Sequence, residues 1–200
     1  MRIFTLDEFE QGSEEWLAVR GKIPTASQFH AVMAKGQGKT RRTYMLKLIG
    51  QRITGQPAES FSNYHTDRGH ELEPEACSMY EFQSGNQVNH VAFILGDNDA
   101  GCSPDGLIGD DGMLEIKTKL PHLQIETLIA DVLPSEHKAQ VQGSLWVSGR
   151  EWCDFVSYWP KLPPFIKRVY RDEKYIDELA ESVKLFNEEM NELEQKIRSM

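Results

Sequence analysis

The sequence predicts an α/β protein with one mixed central β-sheet flanked by helices. Two observations lead there. Apolar residues recur at helical spacing at both ends of the chain, and strand-like alternation occupies the middle and returns before the last helix, giving the order helices, sheet, helix, strands, helix. The stretch from Gly101 to Lys119 reads as two short strands joined by Gly109-Asp110-Asp111-Gly112, residues with the chemistry of a tight hairpin turn. At 200 residues the chain suits a single domain spanning 1–200 and is too short for two comfortable ones.

Taken in order, residues Gly12 to Val19 predict a short helix, with Ser13 as N-cap and Glu14 and Glu15 in its first turn. A second helix starts at Thr25, where Thr25-x-x-Gln28 has the form of a capping box, and runs through Phe29 and Val32 towards Lys35. The following Gly36-Gln37-Gly38-Lys39-Thr40 is not a P-loop, because Met33 stands where that motif needs glycine and a helix, not a strand, precedes it. Arg41 to Ile53 and Asp67 to Phe82 predict two further helices, ended at Gly55-Gln56-Pro57 and Ser84-Gly85. One strand is expected from Gln87 to Leu95, leading into the hairpin. Beyond it come a helix over Pro121 to Ala130, a break at Leu133-Pro134, and a helix from Glu136 to Val147 capped by Ser135. Strands at Trp152 to Trp159 and Phe165 to Tyr170 follow. Glu173 to Arg198 is a long amphipathic helix; its stripe Leu179, Val183, Phe186, Met190, Leu193 and Ile197 suits intrachain packing or a subunit contact.

No apolar run approaches the roughly 20 residues that span a bilayer. The N-terminus carries acids where a signal peptide needs an apolar core, and Cys77, Cys102 and Cys153 show no C-x-x-C spacing, so a cytoplasmic protein with reduced thiols is expected. The net charge is −9, yet the segment between Glu15 and Glu59 holds no acid. Arg20, Lys22, Lys35, Lys39, Arg41, Arg42, Lys47 and Arg52 all fall within it. Such asymmetry suits a nucleic-acid-contacting face on an otherwise acidic protein, or a helix pair with a solvated basic side.

The hairpin carries the chemistry. Alternation sends Leu114, Ile116 and Thr118 to one face and Glu115 and Lys117 to the other, with Asp105 near the end of the preceding strand. Converging carboxylates repel, and a divalent cation with oxygen ligands resolves that repulsion while lowering the pKa of a bound water. A solvated Glu115–Lys117 ion pair is the plainer alternative. On the helix over 67–82, Glu71 and Glu75 share a face and Glu73 lies elsewhere; spacing does not choose among them. Arg20, Thr25 and Ser27 near a helix N-terminus suit a phosphate pocket.

Pro104-Asp105 followed by Glu115-x-Lys117 resembles the PD-(D/E)xK nucleases. Five motifs in order carry the resemblance further: Trp16-x-x-x-Arg20-x-x-x-x-Thr25-Ala26-Ser27, Gly69-x-x-x-Glu73, Cys102-Ser103-Pro104-Asp105-Gly106-Leu107, Leu114-Glu115-x-Lys117, and Ala139-Gln140-Val141-Gln142-x-Ser144-x-Trp146-Val147. Together with Arg171 to Tyr175 they are similar to phage lambda exonuclease and the YqaJ-type viral recombinase nucleases over nearly the whole chain.

The resemblance implies a restriction-endonuclease-like core and a 5′-to-3′ exonuclease on double-stranded DNA ends, releasing mononucleotides and leaving 3′ single strands for phage-type recombination. It implies two Mg²⁺ ions, with Mn²⁺ an alternative, held by Asp105, Glu115, the Ile116 carbonyl and Glu73. Lys117 would orient the water. Arg20, Ser27, Ser103 and Gln140 would bind a recessed 5′-phosphate, and Trp16 the strand end. Helices 12–55 would form the DNA-end-binding part and helix 173–198 a packing or oligomer contact. A homotrimer ring, a single-strand annealing partner and a bacterial cytoplasmic setting complete the expectation. His137 replaces a tyrosine of the phage enzyme, Lys119 replaces an apolar residue, and the spacer around Asp97-Asn98-Asp99 fits poorly. A structure- or site-specific endonuclease and a non-catalytic DNA-binding scaffold are the competing functions.

Overall fold

The computed structural model describes residues 1–34, 39–56 and 64–200, and of residues 64–70 the backbone alone. The Gly36–Gly38 loop, Lys35, Pro57 and the side chains of Arg68 and His70 lie outside what is described.

The chain runs β1 (Arg2–Phe4), α1 (Glu14–Arg20), a 3₁₀ turn (Ala26–Gln28), α2 (Phe29–Val32), α3 (Lys39–Thr54), α4 (Tyr64–Ser84), β2 (Val88–Asn89), β3 (Phe93–Leu95), β4 (Gly101–Cys102), β5 (Gly106–Ile108), β6 (Gly112–Thr118), α5 (Pro121–Ala130), α6 (Ser135–Ser148), β7 (Trp152–Tyr158), β8 (Phe165–Tyr170) and α7 (Glu173–Arg198). Five strands form a mixed sheet in the order β2-β5-β6-β7-β8, parallel only between β6 and β7; β1, β3 and β4 form a separate antiparallel sheet. The β6–β7 connection carries α5 and α6, as a parallel pair requires.

The two faces of the main sheet follow the alternation. Leu114 and Ile116 join Val156, Tyr158, Ile108 and Val88 under α4, against Ala76, Cys77 and Tyr80. Met113, Cys153 and Phe155 face the other way, into the larger core built from α2, α3, α6 and α7. Glu115 and Lys117 share that second face. Ile176, Leu179, Val183, Phe186 and Met190 of the α7 stripe are buried, Leu193 packs at the margin, and Ile197 is exposed. The three cysteines are free and buried.

Several expectations change. The strand expected over 87–95 is two strands in two sheets: β2 pairs with β5, and after His90 the chain crosses to pair β3 with β1 and β4. β4 therefore belongs to the smaller sheet, and the hairpin proper is β5–β6. Thr25 makes no side-chain cap. It enters a 3₁₀ turn and forms a parallel bridge with Gly101, while its N–H donates to the Tyr44 hydroxyl (3.1 Å). Ser135 lies inside α6, whose N-cap is Pro134. Ser13 caps α1 as its position predicts, accepting from the Trp16 N–H.

α5 inverts the usual pattern. Its buried residues are Gln124 and Thr127, while Leu123, Ile125 and Ile129 are exposed, Ile129 by 80%. Gln124 is held because its amide donates to the Ser157 and Pro163 carbonyls (2.9 Å each) and accepts from the Ser157 hydroxyl (2.5 Å).

Candidate active site

The β5–β6 turn closes through Gly109, whose φ of 51° is a left-handed conformation that favours glycine. Arg150 fixes it from behind, its Nη1 donating to the carbonyls of Gly109 (2.7 Å), Gly112 (2.8 Å) and Ile108 (3.3 Å). With the turn set, Gly106 pairs with Leu114, and the Asp105 N–H donates to the Leu114 carbonyl (3.1 Å). Asp105 is thereby placed one step before β5, and its Oδ2 accepts from the Ile116 N–H. Its carbonyl accepts from His90 Nδ1 (2.9 Å), which fixes the proton on that nitrogen.

Glu115 is 1% exposed. Its Oε1 accepts from Lys117 Nζ and from Gln140 Nε2 of α6. Its Oε2 is buried and has no partner among the described residues. Burial pushes the Asp105 carboxyl well above the usual range, Glu115 and Glu73 add to it, and Lys117 and the Ile116 N–H oppose. Burial pulls the Lys117 ammonium down, but Glu115, Asp105 and Glu73 outweigh that and its pKa is raised, so it stays charged. Glu73, on α4, thus acts on both groups through its field. Among the described residues no three His, Cys, Asp or Glu side chains form a cluster that would hold an ion by themselves.

A second cluster stands at the N-terminal edge. Arg20 Nη2 donates to Ser27 Oγ (2.8 Å), and its guanidinium lies 4.4 Å from the Trp16 ring. Trp16 Nε1 donates to Ser103 Oγ (3.1 Å) and to the Ala92 carbonyl (3.2 Å), and Thr25 Oγ1 lies 3.4 Å from Ser27 Oγ. Four expected pocket residues, Trp16, Arg20, Ser27 and Ser103, therefore form one connected group. Arg20 has no ion pair among the described residues, and burial lowers its pKa. A half-buried guanidinium whose one hydrogen-bond partner among the described residues is a hydroxyl is suited to an incoming anion. Gln140 departs from that group, its amide bonding Glu115 instead.

The basic segment is partly spent inside the molecule. Arg41 pairs with Glu189 of α7 (2.5 Å). Arg52 donates to Asn191 (2.8 Å), Glu194 (3.2 Å) and the Lys22 carbonyl (2.6 Å). Lys22, Lys39, Arg42 and Lys47 are exposed and make no ion pair among the described residues.

Sequence reasoning did not single out His90, which braces the Asp105 backbone and brings Nε2 to 3.9 Å from Cys77 Sγ. Nothing local marks it, since its partners lie on other elements. His137 packs on Phe155, the strand neighbour of Glu115, with ring centroids 5.2 Å apart. Burial lowers its pKa to about 4, helped by Lys117 and Lys119.

Residues 15–151 match the family model of the YqaJ-like viral recombinase domain. The fold matches the crystal structure of an alkaline exonuclease, LHK-Exo, from Laribacter hongkongensis, with a TM-score of 0.86 and 36% identity, covering 94% of this chain and 97% of that one. The crystal structure of LHK-Exo in complex with dAMP matches equally, at a TM-score of 0.86, 37% identity and the same coverage. A phage-related exonuclease from Haemophilus somnus 129PT shares the fold at a TM-score of 0.68 and 15% identity, covering 88% of this chain and 96% of that one. No curated protein matches by sequence. The helix-flanked mixed sheet is therefore the PD-(D/E)xK nuclease fold, and the chain belongs to the family of YqaJ-type viral recombinase nucleases that includes lambda exonuclease.

Proposed function

We propose that this nuclease is a divalent-cation-dependent 5′-to-3′ exonuclease acting on double-stranded DNA ends. The observation that carries the proposal is the Glu115 carboxylate, buried beside Asp105 with two donors on one oxygen and, among the described residues, none on the other. An orphaned buried carboxylate oxygen is costly unless a cation takes it. The donor set is hard oxygen: Asp105, Glu115 Oε2 and the Ile116 carbonyl, with Glu73 contributing negative field. So few protein ligands suit Mg²⁺, two ions in the full site, because Mg²⁺ keeps several waters and shares phosphate oxygens; Mn²⁺ is the expected substitute. When bound, the cation supplies Lewis acidity at the scissile phosphate and a more acidic water.

The chain's own residues do the rest. Lys117, held charged by its carboxylate neighbours, orients the attacking water and offsets charge developing on the phosphate. Arg20 and the Ser27 and Ser103 hydroxyls hold a terminal 5′-phosphate, and Trp16 offers its ring to the strand end. Anchoring the terminal phosphate fixes which phosphodiester reaches Lys117, so the product is a mononucleotide and the opposite strand is left as a 3′ overhang. LHK-Exo with dAMP bound supports a mononucleotide product. Lys22, Lys39, Arg42 and Lys47 suit backbone phosphates, which carry no sequence information.

A homotrimer ring around the duplex, a single-strand annealing partner and a role in phage-type recombination inside a bacterial cell belong to the same reading. The α7 stripe is largely used by the core, so the exposed apolar side of α5 is favoured over α7 as the contact between copies. Equal molar amounts of linear and covalently closed circular duplex, incubated with Mg²⁺, test end dependence. Digestion of the linear form alone supports the exonuclease; cutting of the circle makes it an endonuclease, and binding without cutting of either makes it a scaffold.

A further inference from the structure

The two oxygens of Glu115 are unequal, and the inequality has an identifiable source. Lys117 and Gln140 both donate to Oε1, while Oε2 is buried with no partner among the described residues. Lys117 reaches Glu115 from the same face of β6 on a long flexible stem. Gln140 comes from α6, an element whose position is closely fixed. Gly143, one turn further along, is packed so tightly that a Cβ there would lie 2.2 Å from Cδ2 of Phe29. The next residue, Ser144, accepts from Cys102 Sγ at 3.9 Å. The amide of Gln140 is thus delivered from a rigid helix onto one chosen oxygen.

We propose that Gln140 is a positioning residue that pins Glu115 Oε1 and so presents Oε2 to the divalent cation. The inference rests on the cation-dependent reading above and deepens it. It differs from the role that family resemblance assigns to Gln140, which is contact with the 5′-phosphate. A carboxamide has two N–H groups, so the one bonded to Glu115 leaves a second for a phosphate oxygen. Without Gln140 the carboxylate would rotate about its last bond and share Lys117 between its oxygens, and the cation would meet a less organised ligand. Partners that orient a metal ligand in this way are worth about 10–100-fold in metal affinity.

The test is calorimetric titration of Mn²⁺ into the full metal-free chain without DNA, comparing wild type with Gln140→Met, which keeps volume and removes the donor. The expected result is Mn²⁺ binding weakened about 10–100-fold in a metal-free variant that still unfolds cooperatively. In digestion assays the half-saturating Mn²⁺ concentration should rise by the same factor. Gln140→Asn, one methylene too short to reach Oε1, should behave alike and serves if the Met variant folds poorly. Wild-type Mn²⁺ affinity in both variants would overturn the positioning role and leave the cation-dependent reading intact. Absence of Mn²⁺ binding by the wild type would overturn that reading as well.

Discussion

Asp154 and Glu115 are buried carboxylates on adjacent parallel strands, 3% and 1% exposed, and their surroundings are opposite in kind. Asp154 faces α4. Arg168 donates to both of its oxygens (2.8 Å each), and the Tyr80 hydroxyl donates to Oδ2 (2.6 Å). Tyr80 in turn accepts from Asn86 (2.8 Å), and the Arg168 guanidinium lies 3.6 Å from the Trp152 ring. Every oxygen there is used. Glu115 faces α6, and one of its oxygens has no partner among the described residues. A satisfied carboxylate holds two strands and a helix together; an unsatisfied one is a ligand in waiting. Burial alone does not separate a structural acid from a functional one, whereas the count of hydrogen bonds on each oxygen does.

Substitution can widen the contrast. The largest effect belongs to Lys117→Ala, which should cut turnover by about 10²–10³-fold or more while leaving the binding of Mn²⁺ and DNA largely intact. Single-turnover kinetics beside a binding titration would show it, and wild-type turnover would remove Lys117 from the chemistry. Arg168→Ala should do the reverse. It strips a buried carboxylate of its main partner, costing about 3 kcal/mol and, for a chain of this size, about 6–12 °C in melting temperature. Activity per folded molecule at low temperature should persist.

A smaller effect separates the two sites by pH. His137, beside Lys117 and Lys119, has its pKa lowered to about 4, from an ordinary value near 6.5. A histidine held neutral in the fold contributes stability that is fully present above about pH 6.5 and is lost as pH falls towards about 4, on the order of 3 kcal/mol. His137→Phe, which keeps the packing on Phe155, should flatten that part of the stability curve in denaturant melts. An unchanged slope would show that the loss comes from other groups.

The smallest effect is on Asp105. Its raised pKa means the fold prefers the protonated acid, so its favourable contribution is lost as pH rises through the folded-state value. At pH 8 without divalent cation, Asp105→Asn should therefore stabilise the protein, read as a rise in melting temperature. Mn²⁺ should raise the melting temperature of wild type but scarcely that of the variant. A variant that melts lower in metal-free buffer would contradict the like-charge picture.

How much of this was legible depends on how local the cause is. The β5–β6 hairpin could be read because Gly109 to Gly112 and the alternation around Glu115 and Lys117 are properties of a few adjacent residues. The crossing from β2 to β3 could not, because alternation is the same on both sides of His90 and no residue there announces a change of sheet. Likewise Thr25 has the sequence of a helix cap, but Gly101 and Tyr44, far along the chain, decide its conformation. The basic segment reads as eight available cations, yet Arg41 and Arg52 are matched by Glu189 and Glu194 across the α3–α7 packing. At the site, spacing brings Asp105, Glu115 and Lys117 within reach of one another. That Gln140 reaches Glu115 follows only from how α6 lies on the sheet.

The most direct measurement uses one linear duplex in Mg²⁺, labelled separately at the 5′ and 3′ ends, carrying either a 5′-phosphate or a 5′-hydroxyl. Early release of the 5′ label as mononucleotide, faster from the phosphorylated end and with that preference lost in Arg20→Ala, is the predicted result. Internal fragments, or equal rates whatever the end carries, would contradict it.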